Sequence, residues 1–246
     1  MIVNYKHKYA TRGKWIFVPT EQCERKGRRI MNFFKKFKFP DHYYHYKKGG
    51  HVAALHAHVD NQWFFRIDIK NFYYSVARMR VTRALRSYAY QGANTVASWS
   101  CVRTPYAEGP AHVLPIGFVQ SPLLASLVLM KSQVEAAIKR AIANGVVISV
   151  YMDDFIGSHD DKDVLTAAYE DIRRASVAAG LIPNPDKLVP PAEAIRAFNC
   201  ELKNRSANVT AERIAKYYAQ PNRSPMSDAS FVQYVNMIAA ENAPRL

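Results

Sequence analysis

The chain has 246 residues, with 34 Lys and Arg against 20 Asp and Glu, a formal charge of +14 and a pI near 9.7, so an acidic partner is expected. A hydrophobic fraction of 49% argues against disorder, and the longest apolar run, Leu123 to Met130, is too short for a bilayer and contains Ser126, which predicts a soluble protein without a membrane partner. No apolar core of signal-peptide length opens the chain, and three widely spaced cysteines (23, 101, 200) form no close pair, which predicts a reducing cytoplasmic setting and argues against structural zinc.

The first 50 residues hold 13 Lys or Arg and three acids, a net of +10 from 13 minus 3. Aromatics are interleaved with them, as in Phe33-Phe34-Lys35-Lys36-Phe37-Lys38-Phe39. Cations suit phosphates and flat rings suit unstacked bases, so the stretch reads as a nucleic-acid groove or, more plainly, as a solubilising basic surface.

Residues 21–39 read as a basic amphipathic helix closed by Pro40, and Val52 to Val59 as a short helix after the Gly49-Gly50 turn. Trp63 to Ile69 is aromatic and β-branched enough for a buried strand. Ser75 then leads into a basic helix to about Tyr90, and the Ser, Thr, Pro and Gly content of Thr95 to Val113 predicts a loop or hairpin. Ser121 as cap and Pro122 at the first turn start a helix that runs to about Asn144 and ends at Gly145. Val146 to Tyr151, the turn Met152-Asp153-Asp154 and Phe155 to Gly157 form a hairpin with acids at its tip. A helix from Asp163 to Ala179, a strand around Ala197 to Leu202, and helices over Thr210 to Ala219 and Ser227 to Ala240 complete an α+β pattern with an antiparallel sheet.

Asp68 closes an otherwise apolar strand, where a bare buried carboxylate costs several kcal/mol. Asp153 and Asp154 pose the same problem. Adjacent strands whose acids share divalent metal answer both, and two Mg2+ ions about 3.5–4 Å apart would activate a primer hydroxyl and stabilise a pyrophosphate leaving group. Magnesium brings water and phosphate ligands of its own, so two or three carboxylates suffice. Asp153 is expected as the direct ligand and Asp154 as its support. The plainer reading is that these acids only terminate strands in a turn.

Five segments in order over about 135 residues resemble the catalytic core of reverse transcriptases. They are Asp68-Ile69-Lys70-Asn71-Phe72-Tyr73-Tyr74-Ser75, Leu114-Pro115-Ile116-Gly117-Phe118-Val119-Gln120-Ser121-Pro122, Tyr151-Met152-Asp153-Asp154, Gly180-Leu181-Ile182-Pro183-Asn184-Pro185-Asp186-Lys187, and Phe198-Asn199-Cys200-Glu201-Leu202. The resemblance implies an RNA-directed DNA polymerase with a right-hand α+β fold: fingers over 1–62 and 91–121, palm over 63–90 and 122–202, and a short helical thumb over 203–246. It implies catalytic roles for Asp68, Asp153, Asp154 and Lys187, and metal contacts at Asp68, Ile69, Asp153 and Asp154 for two Mg2+ ions, with Mn2+ a substitute. Nucleotide contacts fall on Lys47, Lys48, Tyr73, Ile116 and Gly117, and template or primer contacts on Gln120, Ser121, Pro122, Phe198 and Cys200. Tyr73 matches the steric gate that selects dNTPs, against the alternative of a core aromatic. Lys47, Lys48 and Lys187 equally suit solvated lysines, and His51, His56 and His58 read as surface or satisfied core residues without metal-ligand spacing.

Two features depart from the pattern. Ile116 stands where many reverse transcriptases have Gln, and an apolar side chain makes no polar contact to nucleotide or template; Gln120 compensates only if the loop bends suitably. Only 44 residues follow Leu202, from 246 minus 202, so no separate nuclease module is expected. Together with Tyr46-Lys47-Lys48-Gly49-Gly50-His51-Val52-Ala53-Ala54-Leu55, these features resemble bacterial phage-defence, abortive-infection and retron types. The partners so implied are an RNA template such as a structured noncoding RNA, a DNA primer and product, dNTPs, and a homo- or hetero-oligomeric defence assembly. Template-independent or protein-primed synthesis, and an idle RNA-binding scaffold, are the alternatives; intact carboxylates argue against the scaffold.

Overall fold

The computed structural model describes residues 2–107 and 109–242. The chain opens with β1 (Tyr5–Thr11), β2 (Lys14–Pro19), α1 (Glu21–Phe33), α2 (Gly50–His56), β3 (Trp63–Asp68) and α3 (Phe72–Ser75). Next come α4 (Arg78–Ser87), α5 (Ala93–Ser100), β4 (Val102–Arg103), β5 (His112–Val113), α6 (Ser121–Leu129), α7 (Gln133–Ala143), β6 (Val147–Tyr151) and β7 (Asp154–His159). It closes with α8 (Lys162–Ala178), β8 (Val189–Ala192), β9 (Ala194–Ala197), β10 (Cys200–Lys203), β11 (Ser206–Val209), α9 (Ala211–Tyr218) and α10 (Pro225–Ala239). Two compact units result: the first takes Met1–Lys38, Ile69–Ala136 and Ser176–Ile182, the second Phe39–Asp68, Ala137–Ala175 and Pro183–Leu246.

In the first unit β1 and β2 form an antiparallel hairpin over the Arg12-Gly13 turn, both residues at positive φ. The Thr20 hydroxyl caps α1 by accepting from Cys23 N at 3.3 Å, and Cys23, Gly27 and Ile30 bury one face while the arginines point out. The helix stops at Phe33, short of the expected Pro40. Phe34 is buried and packs edge-on against Tyr88 with Phe37 half-buried beside it, so these two rings contribute to this unit's core, whereas Phe33 meets Tyr90 edge-on and stays 56% exposed. The loop expected over Thr95 to Val113 contains part of helix α5 before the β4–β5 hairpin. The single helix expected from Leu123 to Asn144 is two, because Ser132 folds back on Leu129 through both its N–H and its hydroxyl.

The second unit is built on an antiparallel sheet of order β6-β7-β3-β8, with a separate three-stranded sheet of order β11-β10-β9. Val52, Leu55, Phe64, Ile156, Ile195, Leu202 and Ile238 close its core, joining α2, both sheets and α10. The expected histidine role is met at His58, which is fully buried: Nδ1 lies 2.7 Å from Ser158 Oγ and Nε2 lies 2.8 Å from Ser149 Oγ. Among the described residues no helix is long and apolar enough to cross a membrane.

Candidate active site

β3 and β7 run antiparallel with Asp68 directly opposite Asp154, so both carboxylates rise from one face at the end of the sheet. Asp153 lies in the two-residue turn between β6 and β7, one step before that pair. The turn requires Met152 at a φ of 58°, uncommon for a side-chain-bearing residue. His45 braces it: the Met152 N–H donates to His45 Nδ1 at 3.3 Å. Burial lowers His45 to about 4, although the Val150 carbonyl opposes the shift, so the ring is neutral and able to accept.

Asp153 and Asp154 differ in setting: one sits in the turn and the other begins β7. Arg66, two residues before Asp68 on the same face of β3, donates to Asp154 Oδ1 from Nε at 2.7 Å and from its outer nitrogen at 2.6 Å. Its other nitrogen donates to the Arg196 carbonyl at 3.0 Å, which ties β3, β7 and β9 together. Burial pushes Asp154 up to about 6; Arg66 opposes this, and the charges of Asp153 and Asp68 add to it.

Asp68 is 3% exposed, and its charge is answered from the segment after α8. Lys187 Nζ donates to Oδ2 at 3.0 Å, Asn184 Nδ2 to Oδ1 at 3.2 Å, and Asn184 N to the Asp68 carbonyl at 2.7 Å. Arg66 stands 3.8 Å from Oδ2. Among the sequence-predicted residues, Asp68, Asp153, Asp154 and Lys187 are therefore brought together in the second unit, whereas Arg66, Asn184 and His45 were not anticipated. The i, i+2 spacing of Arg66 and Asp68 was the available signal for the first of these.

The other expected contacts vary in accessibility. Lys47 is 3.6 Å from Asp41 and sits over the Tyr44 ring, while Lys48 is exposed. Phe198 and Asn199, at φ 53° and 61°, make the tight turn between β9 and β10; Cys200 is fully buried, with its thiol pointing at the Phe198 carbonyl and the Tyr234 hydroxyl. In the first unit Ile69 is 1% exposed, and its side chain has no donor atom. Tyr73 is half-buried, and its neighbour Tyr74 is the core aromatic, bonded through its hydroxyl to the Trp15 carbonyl.

Ile116 is half-buried and its carbonyl accepts from Phe17 N at 2.9 Å. Gly117 follows at a φ of 109°, with the Phe17 carbonyl where a Cβ would go, so only glycine fits. Gln120 is 1% exposed and faces Ser100 at 3.3 Å and Cys23, against Gly27, where a Cβ would strike its Oε1. It is thus turned into this unit's interior. Ser121 is not the cap of α6: its hydroxyl donates to the Pro115 carbonyl at 2.7 Å, Gln120 takes the cap position, and Pro122 lies within the first turn.

Among the described residues no three His, Cys, Asp or Glu side chains converge as a ready metal cage. The donor set is nonetheless one of hard carboxylate oxygens, and a buried Asp68 that already draws an ammonium to 3.0 Å is a seat for positive charge. That suits a divalent ion supplying most of its own ligands as water and phosphate.

An antiparallel sheet that sets one acid at a strand end beside two at a hairpin turn defines a right-hand polymerase fold. The chain belongs to the reverse transcriptase family: the family model described as reverse transcriptase (RNA-dependent DNA polymerase) matches residues 18–195. Among solved structures, a foamy viral protease-reverse transcriptase in complex with double-stranded DNA matches 92% of this chain and 34% of its own, at 18% identity and a TM-score of 0.53. The telomerase of Candida albicans, in complex with a fragment of telomeric RNA, matches 87% of this chain and 40% of its own at 9% identity and a TM-score of 0.52. Apo telomerase from Candida tropicalis matches 81% and 53% at 11% identity and a TM-score of 0.53. The chain thus spans between about a third and about half of these proteins' length. Among curated proteins no relative is found.

Proposed function

We propose that this chain is the catalytic core of an RNA-directed DNA polymerase that adds dNTPs to a primer by phosphoryl transfer. The observation that carries the reading is the register of Asp68 opposite Asp154, with Asp153 in the adjoining turn. Asp68 and Asp153, with the Ile69 carbonyl, would hold divalent metal, Mg2+ by its preference for hard oxygen and Mn2+ in substitution. When bound, such ions lower the pKa of the attacking hydroxyl and neutralise the leaving pyrophosphate.

The chain's own groups divide the remaining work. Arg66 engages Asp154, and His45 fixes the turn that carries Asp153. Lys187 holds the Asp68 carboxylate in place from 3.0 Å, and its ammonium would serve as proton donor to pyrophosphate. Tyr73 acts as the gate against ribonucleotides, Lys47 and Lys48 attract triphosphate, and Ile116 and Gly117 face nucleotide, on their motif positions. The partners are an RNA template and a DNA primer; the Tyr46 to Leu55 segment and the basic N-terminus support a noncoding RNA partner and a role in bacterial antiviral defence.

Primer extension with purified protein tests the reading, comparing wild type with Asp153→Ala in Mg2+ and offering dNTPs or NTPs with and without an RNA template. Template-dependent DNA made by wild type alone is expected; no product under any condition would sink the proposal. The inward-turned Gln120 cannot replace the polar contact missing at Ile116. It therefore favours weak template dependence as the second reading, and product made without template would establish it.

A further inference from the structure

Within the second unit an open cavity of about 590 Å³ lies between the β6 end, the β9–β10 turn and helices α9 and α10, inside the range of about 300–1,000 Å³ usual for small-ligand sites. Its walls are mostly aromatic. Tyr217 and Phe231 stack face to face at 3.8 Å and 9° and, each only 7% exposed, close one wall of it. Tyr151 and Phe198 meet at 66°, so their faces are not spent on one another.

Charge selects the ligand. No Asp or Glu lines the cavity among the described residues, and its permanent cation is Arg213, half-buried 5.7 Å from the Phe231 ring. The neighbouring arginines are occupied, Arg196 by Glu212 at 3.1 Å and Arg223 by Asp228 at 3.0 Å. Arg213 makes no ion pair among the described residues. A half-buried guanidinium without a carboxylate, beside unstacked ring faces, matches a phosphate joined to a planar base.

We propose that this cavity binds one unpaired nucleotide of a single strand, its base against the aromatic walls and its phosphate on Arg213. The inference rests on the polymerase reading for the presence of such a strand, and it adds a site that holds a base outside a duplex. Tyr151, which opposes Asp154 in the β6–β7 ladder, belongs to the cavity wall and joins it to the carboxylate hairpin. Ser227 and Ser230 leave room on the α10 side.

The test is fluorescence of a single-stranded DNA tetranucleotide ending in 2-aminopurine, which is quenched when the base stacks. Wild type should quench it saturably. Arg213→Gln should weaken binding about tenfold, the loss of one charge-assisted contact, and Ser230→Trp should abolish quenching by filling the space. Circular dichroism melting confirms that each variant folds, and Ser230→Thr serves as a conservative control that keeps the quench. Equal quenching by wild type and both variants would overturn the site, and displacement by deoxyadenosine monophosphate as readily as by unlabelled tetranucleotide would overturn the strand assignment. Primer extension by wild type is read separately: a protein that quenches without extending loses the polymerase reading and keeps the cavity, and one that extends without quenching does the reverse.

Discussion

Acidification should unlock the His58 network, and by an amount the structure sets. Ser158 Oγ accepts from Asn61 Nδ2 at 2.8 Å, and the His58 ring lies 2.7 Å from that oxygen through Nδ1 and 2.8 Å from Ser149 Oγ through Nε2. A doubly protonated ring would aim a second donor at an oxygen already accepting, inside a site with no water exposure. Burial accordingly lowers His58 from 6.5 to about 3. Because the folded value lies below the unfolded one, this contribution is complete above about pH 6.5 and is lost as pH falls toward 3. Between pH 7 and pH 5 the loss is about 2 kcal/mol, from roughly 1.4 kcal/mol for each unit below the unfolded pKa.

Asp154 runs the other way. Raised to about 6, it contributes stability on acidification, on the order of 1 kcal/mol over the same interval, so the wild-type curve alone hides the effect. The assay is urea unfolding at pH 7 and pH 5 for wild type and His58→Gln, reading the difference of differences. Wild type should lose about 2 kcal/mol more than the variant. Equal losses, within about 0.5 kcal/mol, would refute the reasoning.

Three further outcomes follow from the same contacts. Lys187→Met removes the ammonium competing for Asp68 and should lower the Mn2+ concentration for half-saturation, read by electron paramagnetic resonance, by about fivefold; unchanged affinity would deny the competition. Arg66→Met leaves Asp154 buried beside like charges and should cost about 3–5 kcal/mol in urea unfolding, with Asp154→Asn in the same chain restoring much of it. Gly117→Ala meets the Phe17 carbonyl at a positive φ and should destabilise by about 2–4 kcal/mol, where a neutral result would contradict the close approach.

What was legible in the sequence follows the range of the interaction involved. The strand at Trp63, the acidic hairpin and the two last helices were read from apolar period and turn chemistry, which are local, and they stand within a few residues of where they were placed. The β1–β2 hairpin carried no such signal: most of β1 is exposed, so no buried alternation marks it. The break between α6 and α7 was missed because Ser132 is a capable helix residue whose back-bonding to Leu129 competes with the continuing turn. Burial of Phe34 was not legible because Tyr88 and Tyr90, which pack against it, are some 50 residues away.

At the candidate site the acids were legible and their partners were not. A buried carboxylate announces a need for positive charge, but several cations could answer it, and sequence spacing does not choose among them. Register chooses. Asp154 faces Asp68 across the ladder, and Arg66, two positions earlier on β3, is the cation whose side chain rises from the same face. The guanidinium's two bonds to one oxygen make Asp154 the committed carboxylate, and Asp153, one residue earlier in the turn, lies outside that ion pair. The pairing of Arg66 with Asp154 thus follows from register, an argument that the aspartate pair alone could not supply.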